Sequence, residues 1–312
     1  MTDFTLRTPV AFIIFNRPEV TQRVFAQIAK ARPPKLLVVG DGPREARVGE
    51  AERVAAARDI IRQVNWPCDV LYNYSDTNLG CRARVSSGLD WVFEQVPEAI
   101  ILEDDCLPDQ SFFRFCEDLL DRYRTDQRVG MISGDNFQFG REYSDDSYYF
   151  SKYTHIWGWA SWRDRWVKEY DVDIKNWPQI RDSSDLANFL EDHKEVAFWS
   201  ALFNKAYLNQ VDTWDYQWTL TNWGKGRLTI LPSVNLISNI GFSADATHTV
   251  SASRFANLPL RSIDFPLRHP PEVIHNKTAD DFTKRDWFLT PLWKKIFNRL
   301  QVLSKRWFHS AG

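Results

Sequence analysis

Glu103, Asp104 and Asp105 are three consecutive carboxylates that end an apolar run, Ala99-Ile100-Ile101-Leu102, and Cys106-Leu107-Pro108 follows them. Adjacent acids repel one another unless water or a cation separates them. A hard divalent ion, held by one or two carboxylates and by the phosphates of a substrate, relieves that repulsion and supplies chemistry. The plainer alternative is a solvated acidic turn ahead of a helix starting near Ser111, since carboxylates suit a helix N-terminus. Two other features carry candidate chemistry. Arg82 and Arg84 fall in the first turn of a helix, where a cation opposes the helix dipole, so they either face a negative group or are simply solvated. His248 ends a hydroxyl-rich stretch and is a candidate metal or phosphate contact, although a lone histidine is more often a surface or core residue.

Hydrophobic period places these residues on elements. Residues 10–15 read as a first strand, and Asn16-Arg17-Pro18 leads into a helix over 19–30, with Asn16 as its cap. A second strand at 36–39 ends in Gly40-Asp41-Gly42-Pro43-Arg44 and precedes a helix over 45–63. A third strand covers 69–74, and Asn78-Leu79-Gly80 turns into a helix over 81–95 with Val85, Leu89, Val92 and Phe93 on one face. The fourth strand, 99–102, delivers the acids, and a helix over 111–123 follows. This alternation predicts an α/β fold with a mostly parallel sheet flanked by helices. The triplet then lies beyond the carboxyl end of a strand, where ligands of open α/β sheets bind.

From residue 129 the pieces shorten. Strands are expected at 129–133 and 148–151, a helix over 191–209, another opening at Thr213, and extended segments at 228–231, 234–237 and 241–248. Trp162 and Trp166, and likewise Trp214 and Trp218, are four apart and would share a helical face. The chain has 14 tryptophans, nine of them between Trp157 and Trp223, enough for a core and for a sugar-facing surface.

With 39 basic and 41 acidic residues in 312, the chain carries no global field that would attract nucleic acid. Cys68, Cys81, Cys106 and Cys116 have neither zinc nor disulfide spacing, and read as buried thiols in a reducing compartment. The apolar run at 10–15 is too short for a signal peptide or a spanning helix, which points to a cytoplasmic protein. After about residue 260 the composition shifts to proline, histidine and charge. Residues 1–255 are expected to form the main domain and 256–312 a C-terminal extension with a helical tail. Residues 291–308 alternate Lys294, Lys295, Arg299, Lys305 and Arg306 with Trp293, Ile296, Phe297, Leu300, Leu303 and Trp307. Such a helix either docks on its own domain or lies peripherally on the inner face of a membrane.

The order of motifs resembles glycosyltransferases of the GT-A fold, in particular N-acetylglucosaminyltransferase I of N-glycan processing and its bacterial, hemolysin-like relatives. The resemblance covers residues 10–248, and Glu103-Asp104-Asp105-Cys106-Leu107-Pro108-Asp109-Gln110-Ser111-Phe112-Phe113 is its most specific part. It implies that Asp105 touches a Mn2+ or Mg2+ ion bridging the nucleotide diphosphate. Asp104 would hold ribose or sugar hydroxyls, and Glu103 the sugar. Arg17 and Asp41 match nucleotide-holding positions, and Asn78, Gly80, Arg82 and Arg84 match the loop and helix that close the donor site. Trp157-Gly158-Trp159 resembles the turn beneath the acceptor. Trp214-Asp215 resembles the segment carrying the catalytic base, but the family's acid pair is reduced here to Asp215 followed by Tyr216, which leaves Asp212, Asp135 and Asp164 as rivals.

The implied reaction moves a hexosyl or N-acetylhexosaminyl group from a nucleotide sugar, UDP-linked by preference, to a glycan or lipid-linked acceptor of polysaccharide biosynthesis. Such transfer needs a cation where charge develops on the leaving diphosphate, and a carboxylate to take the acceptor proton. Inversion with Asp215 as base is the expected route. A nucleotidyltransferase would share the sheet and the metal but should carry a glycine-rich loop after its first strand, where Phe15-Asn16-Arg17-Pro18-Glu19 has no glycine. A non-catalytic saccharide or membrane-surface protein would not need the acid triplet.

Overall fold

A computed structural model describes residues 4–242 and 254–289. Four parallel strands form its first half: β1 (Val10–Ile14), β2 (Lys35–Gly40), β3 (Asp69–Tyr74) and β4 (Glu98–Glu103), in the order β3-β2-β1-β4. The intervening helices are α1 (Pro18–Ala31), α2 (Glu50–Ile60) and α3 (Gly80–Gln95), and β5 (Cys106–Pro108) and α4 (Gln110–Tyr123) follow β4. The second half adds β6 (Val129–Ser133), β7 (Tyr148–Ser151), β8 (Trp159–Trp162), α5 (Arg163–Trp166), α6 (Trp177–Asp182), α7 (Asp185–Leu190), α8 (His193–Tyr207), α9 (Asp215–Gly224), β9 (Leu228–Pro232), β10 (Ile237–Asn239) and α10 (Lys277–Thr283). The eight-stranded sheet continues as β4-β8-β6-β9-β7, with β8 antiparallel to both neighbours and β7 antiparallel to β9. The architecture is therefore α/β with a large, mostly parallel sheet between helices, as expected.

Because both faces of the sheet are covered, its central strands are apolar on both sides. Val10, Phe12, Leu36, Val38, Ile100 and Leu102 pack toward α1 and α4. Ala11, Ile13, Leu37, Val39, Ala99 and Ile101 pack toward α3 and a tryptophan cluster of Trp159, Trp166, Trp214 and Trp218. Successive strand residues alternate faces, so Glu103, two after Ile101, falls on the tryptophan side. A third core joins α6, α7, α8 and α9 through Trp177, Trp199, Phe203, Leu220 and Trp223. Helix α9 belongs to two cores, Trp218 facing the sheet and Trp223 the helices.

Several expectations shift in detail. The helix expected from residue 45 starts at Glu50, after Gly49 adopts φ 75°, a left-handed turn that glycine permits. Asn16 does not cap α1; Arg17 holds that position without a side-chain cap bond, and Asn16 donates instead to Glu50 at 2.8 Å. Trp162 ends a strand rather than sharing a helix with Trp166. The segment expected at 234–237 pairs later, as β10 against β5. The chain from residue 254 folds back on the body: Ile263 and Leu267 join the first core, and Ala279 packs with Tyr149 and Leu231. No helix among the described residues is long and apolar enough to cross a membrane, and all four cysteines are free. The tail at 291–308 lies outside the described residues.

Candidate active site

The register of the parallel strands brings their carboxyl ends together. Ile14 pairs with Gly40, Gly40 with Tyr74, and Ile13 with Glu103. The loops leaving these ends enclose a cleft of about 750 Å³ lined by Phe15, Arg17, Asp41, Arg44, Asn78, Gly80, Arg84 and the acid triplet on the sheet side. Trp157, Asp212, Trp214, Asp215, Tyr216 and Phe242 line its other walls.

The triplet does not cap a helix. That role belongs to Asp109, which accepts from Ser111 N at 2.9 Å. Instead Arg17 forks across two of the acids, pairing with Asp104 and donating Nη1 to Asp105 Oδ2 at 3.0 Å. Asp104 is buried and also accepts from Phe15 N at 3.3 Å. Burial works against the Arg17 charge, yet Asp104 and Asp105 outweigh it and raise the pKa of the guanidinium. Burial raises the Asp104 carboxyl against the pull of Arg17. At Glu103 burial first, then the charges of Asp105 and Asp104, outweigh the opposing charge of Arg17 and push it up to about 8, and Asp215 adds to the effect. Asp215 thus lies close enough to the triplet for its charge to be felt there.

A divalent ion fits this floor. Asp105 offers hard carboxylate oxygen at the cleft surface, its side chain 14% exposed. Strand β10 brings Gly241 beside it, anchored by Ile240 N donating to Asp105 O at 2.8 Å. A Cβ on Gly241 would run into the Asp105 carboxylate and stand 2.7 Å from Arg17 Nη1. Among the described residues no three His, Cys, Asp or Glu side chains converge as a complete metal cage, so the donor set suits an ion shared with substrate phosphates. His248 lies outside the described residues.

Asp41 lines the cleft, but its carboxylate is engaged in building it. Oδ1 accepts from Gly42 N and Leu79 N, both at 2.9 Å, and Oδ2 from Asn78 Nδ2 at 2.9 Å and Gly80 N at 3.2 Å. Burial raises its pKa, and the backbone bonds from Leu79, Gly42 and Gly80 oppose that. Arg84 is buried and ties strand ends together, donating to Gly40 O at 3.2 Å and Asn73 O at 2.6 Å. Arg82 meets the negative group its position demands, Asp173, at 3.0 Å.

The base candidates separate by location. Asp215 opens α9, lines the cleft, and accepts from Thr213 Oγ1. Asp212 also lines it but accepts from Cys81 N at 3.0 Å and Arg82 N at 2.8 Å, which caps α3. Asp135 is fully buried; Trp157 N donates to one oxygen at 3.0 Å, the other meets no partner among the described residues, and burial holds the carboxyl well above its usual range. Asp164 is bonded to Gln127 and Arg165 on α5, away from the cleft lining. Sequence reasoning did not single out Arg44, Glu50, Gly241 or Phe242, whose partners are distant or lie across irregular turns.

No protein-family model matches this chain, and no curated protein matches it. Solved structures superpose loosely. The mannosyltransferase PcManGT from Pyrobaculum calidifontis, in complex with GDP-Man and Mn2+, is 14% identical with a TM-score of 0.36, over 52% of this chain and 46% of that one. UDP-glucose pyrophosphorylase complexed with UDP-glucose is 10% identical with a TM-score of 0.38, over 73% and 90%. Mouse xyloside xylosyltransferase 1, in its apo form, is 11% identical with a TM-score of 0.32, over 70% and 82%. This chain spans just under half the length of the mannosyltransferase. Superpositions this loose assign neither a family nor an activity.

Proposed function

We infer that the chain is a metal-dependent glycosyltransferase of the GT-A type, moving a sugar from a nucleoside diphosphate to a glycan or lipid-linked acceptor with inversion. The supporting observation is the convergence of Arg17, Asp104 and Asp105 with Asp215 on one cleft at the carboxyl ends of parallel strands. Asp105 would hold Mn2+ or Mg2+ together with the donor diphosphate, and the ion when bound would offset charge developing on the leaving group. Arg17 shares the triplet's charge and stands ready to meet phosphate. Asp104 is the candidate for donor hydroxyls. Glu103, lining the same cleft, is the candidate contact to the sugar. Asp41, Asn78, Gly80 and Arg84 shape the nucleotide half. Asp215 takes the acceptor proton, and Trp157 and Phe242 offer aromatic faces to a sugar.

A UDP sugar carrying a hexosyl or N-acetylhexosaminyl group is the favoured donor. His248 remains a candidate second contact to metal or phosphate. Residues 1–255 would be the catalytic unit and 256–312 its extension, with 291–308 touching the cytoplasmic face of a membrane during polysaccharide assembly. The test is hydrolysis and binding of a panel of uridine and guanosine diphosphate sugars by the full chain with Mn2+. Binding and slow hydrolysis of at least one donor are expected; a panel wholly unbound would overturn the reading.

A further inference from the structure

Arg44 lies in the turn after β2 and lines the nucleotide half of the cleft beside Asp41 and Asn78. It is held there by Glu50, a carboxylate with no solvent exposure. Glu50 accepts from Arg44 N at 2.8 Å, from Arg44 Nε at 2.9 Å and from Arg44 Nη2, and also from Asn16 Nδ2 at 2.8 Å. Hydrogen bonds from Arg44 hold the Glu50 carboxyl down at about 2 despite its burial. A guanidinium is a rigid planar fork of five donors. Glu50 occupies its Nε and Nη2 edge, so the Nη1 edge is turned away from Glu50, and Nη1 donates to no protein group among the described residues. The Arg44 guanidinium carbon is 5.6 Å from the centroid of the Phe15 ring, another cleft residue.

The neighbouring groups define what this edge can read. All four acceptor positions of Asp41 are taken by Gly42, Leu79, Gly80 and Asn78, so Asp41 has none left for a base. Asn78 donates its amide to Asp41 and to Gly42 O at 3.1 Å, which leaves its carbonyl oxygen as an acceptor. This end of the cleft therefore offers a fixed donor and a side-chain acceptor. Uracil and guanine each present a keto oxygen beside a ring N–H. Cytosine and adenine present an amino group at the keto position, and its hydrogens would meet the arginine donors.

We propose that Arg44, positioned by Glu50, reads the base of the nucleotide donor and selects keto bases, uracil or guanine, over amino bases, cytosine or adenine. This rests on the nucleotide-donor reading and adds a specificity determinant to it. UDP and CDP differ at that group and at the ring nitrogen beside it, which is N–H in uracil and a bare acceptor in cytosine, and GDP and ADP test the purine counterpart. The experiment is calorimetric titration of these four nucleotides and of inorganic pyrophosphate into the full chain with Mn2+. The same titrations are run on Arg44→Lys, which keeps a charge against Glu50, and on the double variant Arg44→Gln/Glu50→Gln, which leaves no buried charge unpaired. The parent should bind at least one keto nucleotide roughly tenfold or more tighter than its amino partner. Both variants should lose that preference while pyrophosphate affinity holds. Equal binding of keto and amino partners by the parent would overturn the proposal. So would a variant that weakens pyrophosphate as much as UDP, since Arg44 would then be a phosphate contact. If no nucleoside diphosphate binds, the donor reading falls with it; if they bind without keto preference, this inference alone falls.

Discussion

Trp214 stacks on Trp159 with ring centroids 5.7 Å apart and planes 22° from parallel. Trp159 sits on β8 opposite Ile101 of β4, the strand that ends in the acid triplet. Trp214 immediately precedes Asp215. Core packing, rather than a loop, thus sets the placement of the candidate base relative to the candidate donor site. Trp214→Ala should lower stability by about 3–5 kcal/mol, as for other large aromatic deletions, measured by urea unfolding. Transfer by the folded variant should fall while donor affinity stays near the parent's. Unchanged turnover would separate Asp215 from this support.

Asp215→Asn keeps the shape of the side chain and removes its basicity. Transfer should drop roughly 100-fold or more, the usual weight of a general base, with the dissociation constant for the nucleotide unaltered. Turnover near the parent rate would pass the role to Asp212, which faces the same cleft.

Gly241→Ala puts a methyl group against Asp105 and Arg17. The expected result is a protein that melts near the parent temperature but binds nucleotide in Mn2+ several-fold more weakly, about 1 kcal/mol or more of affinity. Thermal melts and calorimetry check the two halves. Parent-like affinity would show that nothing needs the space beside Asp105.

Asp280 gives a pH signature outside the cleft. It accepts from Ser151 Oγ at 2.6 Å and Lys152 N at 3.1 Å, and burial pushes it up to about 7. A buried acid with a raised pKa binds more protons when folded than when unfolded, so its contribution to stability falls as pH rises from about 4 to about 7 and levels off above that. Relative to Asp280→Asn, the parent should therefore lose a few degrees of melting temperature, ~2 °C or more, between about pH 4 and about pH 8. A difference between the two proteins that does not change with pH would mean that Asp280 titrates normally.

How far sequence reading reached depends on whether a residue's partner is local. The acid triplet is legible because a buried strand and a proline bracket it, and strands β1 to β4 read cleanly because four or more apolar residues stand between turn signals. Asn16 looks like a helix cap, yet its partner Glu50 lies across a turn and at the head of another helix, a pairing that has no period. The antiparallel insertion of Trp159–Trp162 between β4 and β6 is equally hidden, since all four residues are buried and show no alternation. Helices α6 and α7 are six residues each, too short for a 3.6-residue pattern to declare itself. Asp215 was reachable only through resemblance, because its environment is made by tryptophans distant in sequence.

The central claim is that Asp105 joins a divalent ion to a nucleotide diphosphate. Titrating UDP and GDP into the parent and into Asp105→Ala, each with Mn2+ and with chelator, tests it most directly. The account predicts nucleotide binding by the parent that needs Mn2+ and is lost in the variant. Equal affinity in the parent with and without chelator, or undiminished Mn2+-dependent binding by Asp105→Ala, would contradict it.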